Sequence, residues 1–176
     1  MKKALILESI LIVLLGISSI TYAFLSKTNT NTNTLVLGTV TPVIMETFDS
    51  TNKIKEDVYI KNNGNIDIYV RVALVFSFED SNGVILSEEP IEDDDYTITF
   101  SSSTNWVLGS DGYYYYKDKI PANSRTDILI DSCENIKNYT DKSFTLDIVV
   151  QGIQASPSSS VTEAWGVSVV NNRISV

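Results

Sequence analysis

The chain reads as an all-β protein, an antiparallel β-sandwich of jelly-roll or immunoglobulin-like type. Three observations predict it. First, residues 66–78 alternate strictly: Ile66, Ile68, Val70, Val72, Leu74, Phe76 and Phe78 share one phase, against Asp67, Tyr69, Arg71 and Ser77 on the other. Seven apolar positions at period two mark a strand with one buried face. Second, Phe144, Leu146, Ile148 and Val150 repeat the pattern against Thr145, Asp147 and Gln151. Third, Asn63-Gly64, Asn82-Gly83 and Asp111-Gly112 punctuate the chain with tight-turn dipeptides, and beyond residue 23 no segment keeps a helical period over three turns.

Taken in order, residues 1–23 read as an export signal. Lys2 and Lys3 precede an apolar run, Ile10 to Leu15, and Thr21 and Ala23 occupy the −3 and −1 positions of a small-x-small cleavage site, so the mature chain is expected to begin at Phe24. The alternative is a retained membrane anchor, which the short run and the charge of Glu8 disfavour. Residues 24–34, FLSKTNTNTNT, form a polar arm in which threonine and asparagine alternate from Thr28 to Thr34. Such a segment has no core of its own, yet threonine favours extended backbone.

The β domain is placed at 35–176. Its first strand is expected within 35–48. A hairpin at Asn63-Gly64 is expected to join 56–61 to the long strand 66–78. The acidic run 88–95 reads as a solvated, self-repelling loop. Short strands are expected at 96–101, 105–108, 113–117 and 126–131, with one helical turn over 134–139. The strand from Ser143 changes apolar phase at Gly152, since Ile153 and Ala155 follow, which suggests a bulge. Residues 156–160 read as a loop around Pro157, and 161–170 as the last strand.

Composition narrows the chemistry. Of 176 residues, 13 are basic and 22 acidic, for a net charge of −9, which disfavours nucleic acid and anionic membranes as partners; membrane contact is expected only through the uncleaved signal. The chain has no histidine, so imidazole-dependent hydrolysis and the commonest zinc sites are excluded. An enzyme is therefore not expected, nor a metal or other cofactor. The 88–95 carboxylates lack the spacing of a calcium loop. Cys133, the single cysteine, reads as a small core residue, with an intermolecular disulfide as the alternative. In Tyr113 to Tyr116, two tyrosines are expected to face the core and two the surface, and Trp106 and Trp165 read as core residues. Lys27, Lys55 and Lys61 are candidate amines for a Lys–Asn or Lys–Asp isopeptide crosslink, with Lys27 the first choice.

A family resemblance runs through the same residues. Thr21-Tyr22-Ala23-Phe24 leads through the polar arm into Leu35-Val36-Leu37-Gly38-Thr39-Val40. Residues 58–72 hold Asn-Asn-Gly-Asn and then Tyr69-Val70-Arg71-Val72. These, with residues 113–126 and the tail from Ile153 to Val167, resemble exported biofilm-matrix proteins processed by the SipW-type signal peptidase, the TasA and camelysin-like group, and most nearly its BsaA branch. Where that group often carries an acidic residue after the mature start, this chain has Leu25-Ser26-Lys27. The resemblance implies a secreted subunit located in the extracellular matrix or at the cell surface. It implies head-to-tail homopolymerisation, with an incomplete sandwich completed by a neighbour's donor strand. The polymerisation arm would then be Phe24, Leu25, Lys27, Thr28, Thr30, Thr32 and Thr34. Two other expectations stand beside it: a monomeric or cell-associated adhesion module whose arm is a linker, and a camelysin-like peptidase, which the missing histidine opposes.

Overall fold

A computed structural model describes residues 37–176. The signal segment, its cleavage residues Thr21, Ala23 and Phe24, and the arm with Lys27 lie outside the described residues. The fold is all-β. Its strands are β1 (Pro42–Asp49), β2 (Ile54–Asn62), β3 (Ile68–Asp80), β4 (Tyr96–Phe100), β5 (Trp106–Leu108), β6 (Tyr114–Tyr116), β7 (Ile130–Asn135) and β8 (Lys142–Gln154). A short helix, α1 (Ser159–Trp165), and a small hairpin of β9 (Ser168–Val170) and β10 (Arg173–Ser175) follow. One sheet has the order β1-β2-β7-β4 and the other β5-β6-β3-β8, with every strand pair antiparallel.

The alternation in the sequence becomes the inter-sheet core. Val58, Ile60, Ile130 and Cys133 of the first sheet meet Ile68, Val70, Val72 and Leu146 of the second, all buried. Each fully buried aliphatic side chain contributes about 1.5–3 kcal/mol. Tyr96 of β4 stacks over both Phe76 and Phe144, its ring 4.7 Å from each and nearly parallel to both.

A second core covers the other face of the β3 sheet. Tyr69, Tyr115, Val161 and Ile174 are buried there, with Ile153, Ala155 and Trp165 packed around them. This layer corrects three expectations. The tyrosine run has no surface pair: Tyr114 and Tyr116 face the inter-sheet core while Tyr113 and Tyr115 face the second one. Gly152 makes no bulge, because β8 stays in register with β3 from Lys142 to Gln154; the apolar phase changes there because a different face becomes covered. Residues 161–170 are not one strand. Helix α1 runs to Trp165, anchored by Val161, and Gly166 ends it at φ +72, donating its N–H to the Thr162 carbonyl.

Other expectations shift as well. Asn63-Gly64 does not close a hairpin, since β2 and β3 belong to different sheets. The connection crosses between layers and is held by the buried Asn62, whose Nδ2 donates to the Ile66 and Ile120 carbonyls at 2.8 and 3.1 Å. Gly64 is required for close approach: a Cβ there would stand 2.1 Å from the Thr39 carbonyl oxygen. Asp111-Gly112 does turn β5 into β6, with Gly112 at φ +82. β1 begins at Pro42, and β7 starts at Ile130 and extends through 134–135, where a helical turn was expected. The acidic run is clamped. Asp95 is 4% exposed and accepts from the Ile91 N–H and the Tyr139 hydroxyl, while Lys137 pairs with Asp94 and Lys142 with Glu88.

Candidate functional site

The two sheets end on the same side of the sandwich, β1 bordering one and β8 the other. At one end they close on each other. A Cβ on Gly152 would lie 2.9 Å from Cγ of Pro42 and 3.1 Å from Cγ1 of Val40, so only glycine lets the start of β1 pack across β8. Toward the other end they part. Ile44, Glu46 and Phe48 share one phase of β1; Ile44 packs against the core, but Phe48 is 59% exposed. Phe48 thus faces the space between the sheets but is left open to solvent on the β8 side.

The opening is a groove of about 460 Å³ between β1, β2, β7 and residues 143–147 of β8. Opposite Glu46 the β1–β2 register slips by one residue, at a bulge where Asp57 takes a left-handed conformation (φ 53). Lys55 spans the groove. Its Nζ lies 2.9 Å from a Glu46 carboxylate oxygen and donates to the Leu146 carbonyl of β8 at 3.1 Å, with the side chain 19% exposed. This contact ties one sheet's border strand to the other's. Cys133 pairs with Lys55 across β2 and β7 and forms part of the groove lining. Burial pushes its thiol up to about 11, against a smaller lowering by Lys55, so it stays protonated at neutral pH. Asn135 also lines the groove; its side-chain oxygen is buried and has no hydrogen-bond partner.

Among the described residues the outer edge of β8 has no ladder partner, since β3 is its one neighbour in the sheet there. A long strand edge of this kind is a template for another strand. Of the candidate crosslinking amines, Lys55 is in this groove. Lys61 is elsewhere on β2, in a backbone bridge with Arg125. Among the described residues no group of His, Cys, Asp or Glu is placed to hold a metal ion. The groove itself went unread in the sequence. Its one signal is Glu46, a charge on the apolar phase between Ile44 and Phe48.

A second polar cluster lies under α1. Arg71 of β3, expected on an open face, is only 14% exposed. Its guanidinium sits 4.0 Å from the Tyr113 ring centre and 5.0 Å from that of Trp165, and it donates to Gln151, Asp111 and the Tyr115 hydroxyl. Nε and Nη1 are both directed at protein groups and the guanidinium stacks on two rings, so this cluster fastens the second core to the sheet. Comparisons of the chain with known protein families, curated proteins and solved structures found no match.

Proposed function

We propose that this chain is a secreted structural subunit that polymerises head to tail into extracellular biofilm-matrix fibres. Residues 24–34 of one subunit act as the donor strand of the next, adding to the free edge of β8 and covering the groove. The observation that carries this reading is the groove-facing but exposed Phe48 beside a thirteen-residue edge that has no ladder partner among the described residues. Main-chain hydrogen bonds along β8 would supply affinity, and the groove side-chain discrimination.

Polarity has support too. The chain reaches β1 beside Gly152, whereas the groove opens at 143–147. Strand geometry puts roughly 20 Å between those points, so acceptor and donor root lie toward opposite ends of β8. A contact between two different surfaces propagates as a filament instead of closing into a dimer. Release by the SipW-type signal peptidase at Ala23 would free the arm to reach a neighbour. No catalytic role is proposed.

The test is electron microscopy and sedimentation of the secreted protein, with and without residues 24–34. Filaments from the intact chain, and a folded monomer by circular dichroism and sizing from the deletion, are expected. Filaments that persist without the arm would refute the donor-strand mechanism, and their absence from the intact chain would refute the fibre.

A further inference from the structure

The polar floor of the groove is unusual for a site that accepts a strand. Lys55 uses two of its three N–H donors, on Glu46 and the Leu146 carbonyl, and has one to spare. Glu46 offers carboxylate acceptors. The Asn135 side-chain oxygen is buried without a donor, a state that an added N–H would relieve. An occupant that satisfies this set must present both donors and acceptors on short side chains.

The arm carries such a face. In an extended strand alternate residues point the same way, so Asn29, Asn31 and Asn33 lie on one side, with Leu25 and Lys27, while Thr28, Thr30, Thr32 and Thr34 lie on the other. A primary amide has two N–H donors and a carbonyl acceptor, whereas a hydroxyl has one donor on a shorter reach. We infer that the groove selects amides: residues 24–34 of a second copy enter with the asparagine face turned toward Lys55, Glu46 and Asn135, and the threonine face turned outward. An amide N–H would satisfy the Asn135 oxygen, and an amide carbonyl would take the spare Lys55 donor. This inference rests on the donor-strand reading and adds the side-chain chemistry of the recognised segment.

The experiment measures fluorescence anisotropy of labelled peptides added to the secreted full chain, held below the concentration at which it sediments. Three peptides are compared: residues 24–34, the same with Asn29, Asn31 and Asn33 changed to valine, and the same with the four threonines changed to valine. The unaltered and threonine-substituted peptides are expected to bind alike, and the asparagine-substituted one about tenfold more weakly, the factor that one net hydrogen bond of about 1.4 kcal/mol sets. Asn135→Leu and Lys55→Met chains, checked for folding by circular dichroism, should each narrow that difference.

Equal binding of all three peptides, greater loss from the threonine changes, or no binding at all would overturn the inference. Filaments without amide preference would leave the fibre reading intact and sink this one. Amide-selective binding without filaments would do the reverse.

Discussion

Replacing Arg71 by methionine tests whether the second core is fastened as described. Methionine keeps an unbranched apolar side chain and removes the guanidinium. Three polar contacts go: those to Gln151 at 2.9 Å, to the Tyr115 hydroxyl at 3.0 Å and to Asp111 at 3.2 Å. The first two are each worth about 1 kcal/mol net. The third is an ion pair whose partner Asp111 is 40% exposed, so solvent screening holds it to about 0.5 kcal/mol. Stacking over Tyr113 and Trp165 adds about 0.5–1 kcal/mol for each ring. The contacts share one group and do not add fully, so the loss should be about 2–4 kcal/mol. For a domain of this size that lowers the melting temperature by roughly 10 °C. Thermal melting followed by circular dichroism measures it, and urea unfolding should give a lower midpoint with an unchanged slope. A shift under 3 °C, set against the roughly 2–4 °C expected per kcal/mol, would mean that α1 and the β9–β10 hairpin are held by apolar packing alone.

Two further outcomes follow from burial and charge. Val72, fully buried in the inter-sheet core, should not tolerate aspartate: an unpaired carboxylate there costs several kcal/mol, comparable to the stability of a whole domain, so Val72→Asp should lack a cooperative melt. Acid should destabilise the fold late. The Tyr139 hydroxyl and the Ile91 N–H hold Asp95 below its ordinary value of 3.8, Tyr115 does the same for Asp111, and Ser103 and Asn105 for Asp127. Groups with lowered folded values stabilise above the unfolded value and lose that contribution as pH falls through the folded one. The melting temperature should therefore hold from neutral pH to about 5 and drop below about 4; a decline already complete above pH 5 would contradict these contacts.

The strands that read clearly in the sequence are those with one face on a single core. β3 and most of β8 show it, because alternation is the direct imprint of a half-buried sheet. What escaped was the third layer. Helix α1 spans only seven residues, too few for a 3.6-residue period, and its Ser-Ser-Val-Thr start resembles a loop or a strand. Its cover on the β3 sheet did leave a trace. Tyr69 sits among polar residues of the opposite phase, all four consecutive tyrosines are aromatic, and Ile153 breaks the β8 pattern. Together these say that both faces are buried. Asn63-Gly64 misled because the pair suits two needs, a positive φ and a close backbone approach, and only the second operates here. The groove was nearly illegible for a different reason: it lies between strands of two sheets far apart in sequence, and a single charge, Glu46 between Ile44 and Phe48, is too little to place it.

Lys55 has a mechanical consequence. In a fibre of the proposed kind, tension arrives through a subunit's own arm, which continues into β1, and leaves through the neighbour's arm seated on β8. These two strands share no ladder, because they border different sheets. Apart from backbone crossovers such as that between β2 and β3, the pull passes between layers through side chains. At the closed end it passes through the packing of Val40 and Pro42 on Gly152, and at the open end through the ammonium that joins Glu46 to the Leu146 carbonyl. Stretching would load these contacts before the thirteen-pair β3–β8 ladder, so the subunit should yield first by parting of its two sheets along the groove side, with the long ladder the last element to fail.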